Sequence, residues 1–394
     1  MSAGHSSACR SLAHWRSVVH AILIAVTAAG LAACGSTALG TGSSGITQLK
    51  TPLATPTPIA GTFSTYAIPS ANTYLGGMTK GQDGNLWVTE GDADKIAQVT
   101  TTGTVTEFPV PTAGAYPGLI QSGPDGNLWF TELGANNIGQ STLTGAITEF
   151  PFTPPPGAVA GLSNGQDITT GPDGNLWFTF SGVTLACGGD TSAGILVMSP
   201  SGTLLATYTT PTQQSGPEFI VAGPDGNMWV AEVLSMSIAR VTMSGVITEY
   251  PLPTRTNGFC AGQIGGMTLG PDGNIWFTER FANKIGRITT AGVVTEFGPF
   301  ATGDMRFQRI IAGDDGNLWF AEAPIQGATT NGIIAKMDTS GNLLEEFSWS
   351  NGGPRAMAVG GDREIWYTDE SLDLVGKLVG GASRIQVTSV KRFR

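Results

Sequence analysis

The amino-acid sequence predicts an all-β protein, a seven-bladed β-propeller built from four-stranded blades. A ten-residue motif, GPDGNLWFTE at residues 123–132, returns with small changes in seven copies. The copies are 42 to 52 residues apart, and repeats of roughly 40 to 50 residues with strand-like segments are typical of propeller blades. One tryptophan marks each copy: Trp87, Trp129, Trp177, Trp229, Trp276, Trp319 and Trp366.

The first 33 residues predict a signal peptide. Arg10 and Arg16 form a basic flank, and the apolar run at 18–33 follows them. The run ends in LAAC, Leu31 to Cys34, which resembles the lipobox of bacterial lipoproteins. The resemblance implies an exported protein whose lipidated Cys34 anchors it to the bacterial cell membrane or outer membrane. An ordinary secretory signal with a chance cysteine is the alternative.

Residues 34–60 predict a tether, and residues 61–394 predict the propeller. The tether is rich in Gly, Ser, Thr and Pro and has too little apolar surface to bury a core. Without residues 1–33 the chain keeps 18 basic and 30 acidic residues, a formal charge of −12. This balance argues against a nucleic-acid partner, because such affinity depends on Lys and Arg neutralising phosphates. We expect a monomer that meets the membrane only through its lipid.

Each repeat reads as four strands. In one copy these are GGMTLG (265–270), NIWFTE (274–279), KIGRIT (284–289) and VVTEF (293–297). The Asp-Gly pair between the first two strands is a strong turn signal. We therefore interpret the motif as structural rather than metal-binding, with its tryptophan wedged between neighbouring blades.

Two terminal segments compete to complete the seventh blade. TFSTYAIPS (62–70) resembles the fourth strands of the repeats but precedes the first full copy, and SRIQVTSV (383–390) follows the last copy. We favour the N-terminal segment, which would close the ring and remove exposed sheet edges.

The motif, together with NKIGRIT (283–289) and TEFPVP (106–111), resembles the virginiamycin B lyase family, or streptogramin lyases, over about residues 62–380. The resemblance implies a seven-bladed propeller. It also implies Mg²⁺-dependent elimination of the ester bond of a cyclic depsipeptide antibiotic. In that chemistry a histidine removes an α-proton while the metal polarises the carbonyl.

The resemblance also implies which residues face the central opening. The residues at these positions are Gly76, Gly118, Gln166, Glu218, Gly265, Gln308 and Arg355. Arg355 stands where the family has its key histidine, and Gln308 stands where it has a second one. Gly353 replaces a metal-associated glutamate, whereas Glu370 keeps the family's residue. Arginine is a poor base because of its high pKa, and we expect an Arg355–Glu370 ion pair in the space of the base and metal.

These changes predict a ligand-binding member of the family that lacks the catalytic histidine. The alternative is a carbon–oxygen lyase with a rearranged site that uses Glu370 and Mg²⁺, with Glu218, Tyr74 or Tyr116 as a relocated base. A third possibility is a scaffold in a surface protein complex. The only histidines are His5, His14 and His20, all in the predicted signal peptide, so a Ser-His-Asp triad is excluded from the propeller.

Two long loops, 181–194 and 253–266, are expected on the face that holds the family's active site. Each contains one cysteine, and a Cys187–Cys260 disulfide would rigidify the rim beside Glu218. Insertions on one face of a repeat protein often carry binding. We therefore expect a small molecule, peptide or glycan at this rim, contacted by residues that include Glu218, Gln308, Gln166 and Tyr116.

Acidic residues end the second strand of six repeats. They are Glu90, Glu132, Glu232, Glu279, Glu322 and Asp369. We expect these side chains to cap strands and to meet water or loop amides. An acidic ring that collects cations is the alternative.

Overall fold

The computed structural model describes residues 59–60, 62–71, 73–153, 167–181, 193–213, 215–254, 264–300, 305–325 and 331–380. All of them belong to one compact unit that spans residues 53–394. In the described part of the chain every regular element is a β-strand, and no helix there is long and apolar enough to cross a membrane. The strands form seven sheets, which confirms the predicted seven-bladed propeller.

The first four blades each contain four consecutive antiparallel strands. Blade one contains β3 (Leu75–Lys80), β4 (Leu86–Glu90), β5 (Lys95–Val99) and β6 (Val105–Pro109). Blade two contains β7 (Pro117–Ser122), β8 (Leu128–Glu132), β9 (Asn137–Ser141) and β10 (Ile147–Pro151). Blade three contains β11 (Ile168–Thr170), β12 (Leu176–Ser181), β13 (Ala193–Met198) and β14 (Leu204–Thr209). Blade four contains β15 (Pro217–Ala222), β16 (Met228–Glu232), β17 (Ser237–Val241) and β18 (Ile247–Pro251).

The last three blades include the two N-terminal strands. Blade five contains β19 (Ile264–Leu269), β20 (Ile275–Glu279), β21 (Lys284–Ile288) and β22 (Val294–Phe297). Blade six contains β23 (Met305–Ala312), β24 (Leu318–Pro324), β25 (Gly332–Met337), β26 (Leu343–Trp349) and the short parallel strand β1 (Ile59–Ala60). Blade seven contains β27 (Pro354–Val359), β28 (Ile365–Asp369), β29 (Leu374–Leu378) and β2 (Phe63–Ala67).

The N-terminal strand β2 closes the ring, as predicted. It pairs antiparallel with β29 over five residues, from Phe63 opposite Leu378 to Ala67 opposite Leu374. Tyr66 of β2 stacks on Trp366, with ring centroids 5.4 Å apart. The same stacking joins the tryptophan to a fourth-strand aromatic in each of the other blades, for example Trp87 to Phe108. The competing segment 383–390 lies outside the described residues.

The seven repeat tryptophans are fully buried between blades, which confirms their predicted role. Trp229 of blade four, for example, packs in one cluster with Met267, Ile275 and Phe277 of blade five. Trp366 of blade seven joins a cluster with residues of blade one across the closure of the ring. The core is therefore divided into seven similar apolar layers, each shared by two blades.

The Asp-Gly turn holds the tryptophan in place. In blade four, Trp229 Nε1 donates to Asp225 Oδ1 at 3.1 Å, and Asn227 Nδ2 donates to Asp225 Oδ2 at 2.8 Å. Gly226 has a φ of +73°, which glycine adopts without strain. A Cβ on Gly223 would lie 2.4 Å from the Trp229 ring. These contacts support the structural interpretation of the repeated motif.

Candidate functional site

The predicted site residues gather on one face of the ring, where the first strands begin and the second strands end. We call this the central face, and we call the opposite face, which holds the Asp-Gly turns, the turn face. Glu218, Gln308 and Arg355 lie near the starts of β15, β23 and β27. Beneath them the inner strands of all seven blades line a cavity of about 200 Å³. Four predicted residues, Cys34, Gln166, Cys187 and Cys260, lie outside the described residues, so the lipidation and the disulfide stay predictions.

Arg355 is the centre of a compact cluster of side chains. Its Nη1 lies 2.9 Å from Glu370 Oε2, so the expected ion pair is present. Its Nη2 donates to the Tyr74 hydroxyl, and its guanidinium carbon lies 4.4 Å from the centroid of the Tyr74 ring. Burial acts to lower the pKa of Arg355, but Tyr74 and Glu370 outweigh it and raise the pKa. Arg355 therefore stays a cation and serves as a donor, not as a proton acceptor.

Two tyrosines continue this cluster into blades one and two. Tyr74 and Tyr116 each precede the first strand of a blade, and their ring centroids are 5.4 Å apart. Both residues have left-handed backbones, with φ values of +48° and +51°. At the equivalent position of blade four stands Gly216, which reaches a φ of +63° without the steric penalty that a side chain adds. The two rings are thus retained at strained positions, which is typical of functional sites.

Aspartates of neighbouring blades fix the loops that carry the tyrosines. Asp94 accepts hydrogen bonds from the backbone N–H groups of Gly114, at 2.7 Å, and Tyr116, at 2.9 Å. Asp373 accepts hydrogen bonds from the backbone and hydroxyl of Thr73, next to Tyr74. The rings are therefore positioned by contacts that cross from one blade to the next.

Glu218 lies opposite this cluster among cationic groups. Burial raises the pKa of Glu218 to about 7, although Arg280, Arg309 and Arg355 act to lower it. Gln308 accepts a hydrogen bond from Arg280 Nη2 at 3.2 Å. A carboxyl group with a pKa near neutrality can act as donor or acceptor, so Glu218 is suited to bind polar groups of a ligand.

An ion pair between opposite blades lines the central cavity. Arg309 of blade six lies 3.6 Å from Asp167 of blade three, measured from Nη1 to Oδ2. The guanidinium also stacks over Phe219 of blade four, 4.5 Å from the ring centroid. Burial raises the pKa of Asp167, and Arg309 opposes this shift. The pair joins blades three, four and six below the predicted site.

The acidic residues that end the second strands are buried, which corrects part of the expectation. Asp369 does cap its loop, because it accepts hydrogen bonds from the N–H groups of Gly353 and Ser371. The five glutamates instead lie away from water, and each has at least one buried oxygen without a hydrogen-bond partner. Burial raises their pKa values to about 7 or 8. Their burial and raised pKa values favour a role in the frame over a cation-collecting ring.

The residues at the implied magnesium position do not fit the metal. Mg²⁺ needs several oxygen ligands in a near-octahedral arrangement. Glu370 is engaged by Arg355, Gln308 is engaged by Arg280, and Gly353 offers no side chain. A Cβ on Gly353 would lie 2.2 Å from Ser371 Oγ, so a glutamate there requires Ser371 to move. No cluster of three acidic, histidine or cysteine side chains suited to a metal occurs within the described ranges.

Sequence reasoning missed two arginines of this face. Arg280 directly follows β20, and Arg306 lies at the start of β23. The alignment of the repeats could have identified Arg280, because it occupies in blade five the position that Glu370 occupies in blade seven. The same alignment could have identified Arg306, which lies two residues before Gln308.

The fold and the central face define a streptogramin-lyase-like propeller. The model of the Virginiamycin B lyase family matches residues 47–182, 166–332 and 266–389, and the chain belongs to that family. A search of curated proteins found no match.

Solved structures agree with this assignment. A streptogramin B lyase structure is 32% identical, with a TM-score of 0.67, over 80% of this chain and 96% of the other. Virginiamycin B lyase from Staphylococcus aureus is 32% identical, with a TM-score of 0.65, over 80% and 98% of the two chains. A catalytically inactive histidine-to-alanine variant of the S. aureus enzyme with Quinupristin is 31% identical, with a TM-score of 0.67 and the same coverage.

Proposed function

We propose that this protein is an exported, lipid-anchored member of the virginiamycin B lyase family that binds a ligand on its central face and does not catalyse the lyase reaction. The ligand class is a small molecule, peptide or glycan that reaches the ring through its open rim. The anchor is Cys34, and the tether that follows it holds the propeller at a bacterial membrane surface.

The observation that carries this proposal is the state of Arg355. An elimination needs a base that is unprotonated near the working pH. Arg355 is a cation held by Glu370 and Tyr74, and its pKa is raised rather than lowered. The residue at the position implied for the base therefore binds and orients other groups.

The absence of histidine supports the same proposal. The histidine-to-alanine variant of the S. aureus relative is catalytically inactive. This chain has no histidine after His20. The propeller therefore contains no imidazole group, and the loss of one imidazole inactivates the relative.

The test is turnover of a streptogramin. The purified full-length chain is incubated with Quinupristin and Mg²⁺, with the S. aureus enzyme as the positive control. Elimination leaves the mass unchanged, so the product is identified by its retention time and by a linear fragmentation pattern. The proposal expects no linear product at enzyme concentrations where the control is complete.

A rearranged lyase is the competing function, and the retained Glu370 is the observation in its favour. It requires a base other than Arg355, such as Glu218, Tyr74 or Tyr116. Burial raises the pKa of Tyr116, which makes its phenolate a minor species near neutral pH. An EDTA-sensitive linear product would establish this alternative, and Glu218→Gln would then be the first variant to assay.

A further inference from the structure

We propose that the ligand of the central face is an organic oxyanion, a carboxylate or phosphate on an apolar body, and that Arg280 and Arg306 bind its charged group. This inference rests on the proposed function in one respect, because it takes the central face as the binding surface. It adds the chemical class of the ligand and the residues that recognise it.

Arg280 lies in a locally cationic part of the central face. Among the charges that act most strongly on Arg280 are those of one carboxylate, Glu218, and two arginines, Arg355 and Arg306. Arg355 is paired with Glu370. Burial lowers the pKa of Arg280; Glu218 opposes this shift, and the charges of Arg355 and Arg306 lower the pKa further. An anion bound among these groups would relieve their mutual repulsion.

Arg280 and Arg306 each have an unused hydrogen-bond donor. The Nε atoms of Arg280 and Arg306 are buried without a hydrogen-bond partner. The acceptor that Arg280 does contact, Gln308 Oε1, is neutral. Leaving a buried donor of a charged group unpaired is destabilising. A ligand oxyanion would satisfy these donors, and the planar fork of arginine matches carboxylate and phosphate geometry.

Aromatic side chains provide an apolar surface beside the arginines. Phe281 is 37% exposed and lies over the Arg306 guanidinium, 5.7 Å from ring centroid to guanidinium carbon. Tyr74 and Tyr116 present two adjacent rings that neighbouring blades hold in place. Aromatic surfaces beside fixed cations favour a ligand that carries both a charge and an apolar or aromatic group.

The test uses three probes that differ in the charged group. N-acetylphenylalanine carries a carboxylate, its amide is the neutral match, and phenyl phosphate carries a phosphate. Dissociation constants for the full-length chain are measured by ligand-observed NMR titration at constant ionic strength. We expect at least one anionic probe to bind ten-fold or more tightly than the amide, and the stronger of the two identifies the group.

Variants locate the site. Arg306→Gln should weaken the preferred anion by about ten-fold and leave the amide unchanged, while Arg306→Lys should keep part of the affinity. Arg363→Gln is the matched control, because Arg363 is an exposed arginine on the turn face that pairs with Asp314. This control should bind the anion as the parent protein does. Thermal melting of each variant verifies that it is folded.

The outcomes separate this inference from the proposed function. Equal binding of anions and amide, or equal losses in Arg306→Gln and Arg363→Gln, would overturn the oxyanion assignment even if Quinupristin is not linearised. Conversely, turnover of Quinupristin together with Arg306-dependent anion binding would refute the proposed function and leave the oxyanion site standing.

Discussion

The two faces of the propeller follow opposite rules. On the turn face an aspartate and a tryptophan recur in all seven blades, and Trp Nε1 donates to that aspartate in each blade. Glycine follows the aspartate in six blades, and Arg363 takes its place in blade seven. On the central face the residues at matching positions vary: glycine stands in blades one, two and five, whereas Glu218, Gln308 and Arg355 stand in blades four, six and seven.

This difference shows at which positions the fold allows the residue type to vary. Each blade packs one tryptophan against the next blade, so the same turn residues recur on the turn face. At the starts of the inner strands, Gly76, Gly118 and Gly265 are closely packed against their neighbours. Blades four, six and seven instead carry the polar residues Glu218, Gln308 and Arg355. Their side chains are therefore available for recognition, and their divergence among blades produces a single asymmetric site on a nearly symmetric frame.

The largest expected effect is loss of a repeat tryptophan. Trp229→Ala removes a fully buried ring from the layer between blades four and five, and we expect a loss of about 3–5 kcal/mol in the free energy of unfolding. Chemical denaturation measures this loss. Leu205→Ala, at a side chain that is 53% exposed, is the control and should change stability by less than about 0.5 kcal/mol. Similar losses in both variants would contradict the role of the inter-blade layer.

The second effect is an unusual pH dependence of stability. Burial raises the folded-state pKa of Glu90, Glu232 and Glu322 to about 8, from an ordinary value of 4.5. The folded protein therefore binds more protons than the unfolded chain between about pH 4.5 and 8, so stability is highest at the low end of this window and falls as pH rises. We expect a loss of about 2 kcal/mol or more from pH 5 to pH 8, measured by urea denaturation, and a smaller loss in Glu232→Gln. Greater stability at pH 8 than at pH 5 would show that these carboxyl groups are solvated.

Removing one carboxylate from each face compares how much the two faces contribute to stability. Asp225→Ala leaves the buried Trp229 Nε1 without an acceptor, so we expect a loss of about 1–2 kcal/mol. Glu370→Ala removes a partly exposed partner of Arg355 and should lower stability by less than about 1 kcal/mol. Denaturation of both variants at pH 7 provides the measurement. A larger loss in Glu370→Ala would mean that the central face also belongs to the frame.

The smallest expected effect is on catalysis. Arg355→His alone should give no turnover of Quinupristin, because Gly353 and Gln308 also differ from the residues that the family resemblance implies. Ser371 Oγ would in addition lie 2.2 Å from a Cβ on residue 353, so a glutamate there also requires Ser371 to move. Chromatography of the reaction mixture is the measurement. A clear gain of Mg²⁺-dependent product in this single variant would show that one residue separates the chain from the lyases.

Most of the frame was predictable because it repeats. The alternation of residues around each tryptophan predicted the second strands. The likeness of TFSTYAIPS to the fourth strands predicted β2. The Arg355–Glu370 pair was predictable from the family resemblance, because that resemblance places both positions in one site. Asp94 could not be assigned its role, because it binds the backbone of Tyr116 in the next blade, and no local pattern encodes a contact between blades. The buried state of the second-strand glutamates depends likewise on packing across strands.

Hydrogen–deuterium exchange tests most directly whether the central face is the binding face. The full-length chain is compared with and without a saturating concentration of the preferred anionic probe. The account predicts slower exchange in peptides that cover residues 73–76, 116–119, 280–281 and 305–309, and unchanged exchange at the Asp-Gly turns. Protection at the turns, or no protection anywhere at saturation, would contradict it.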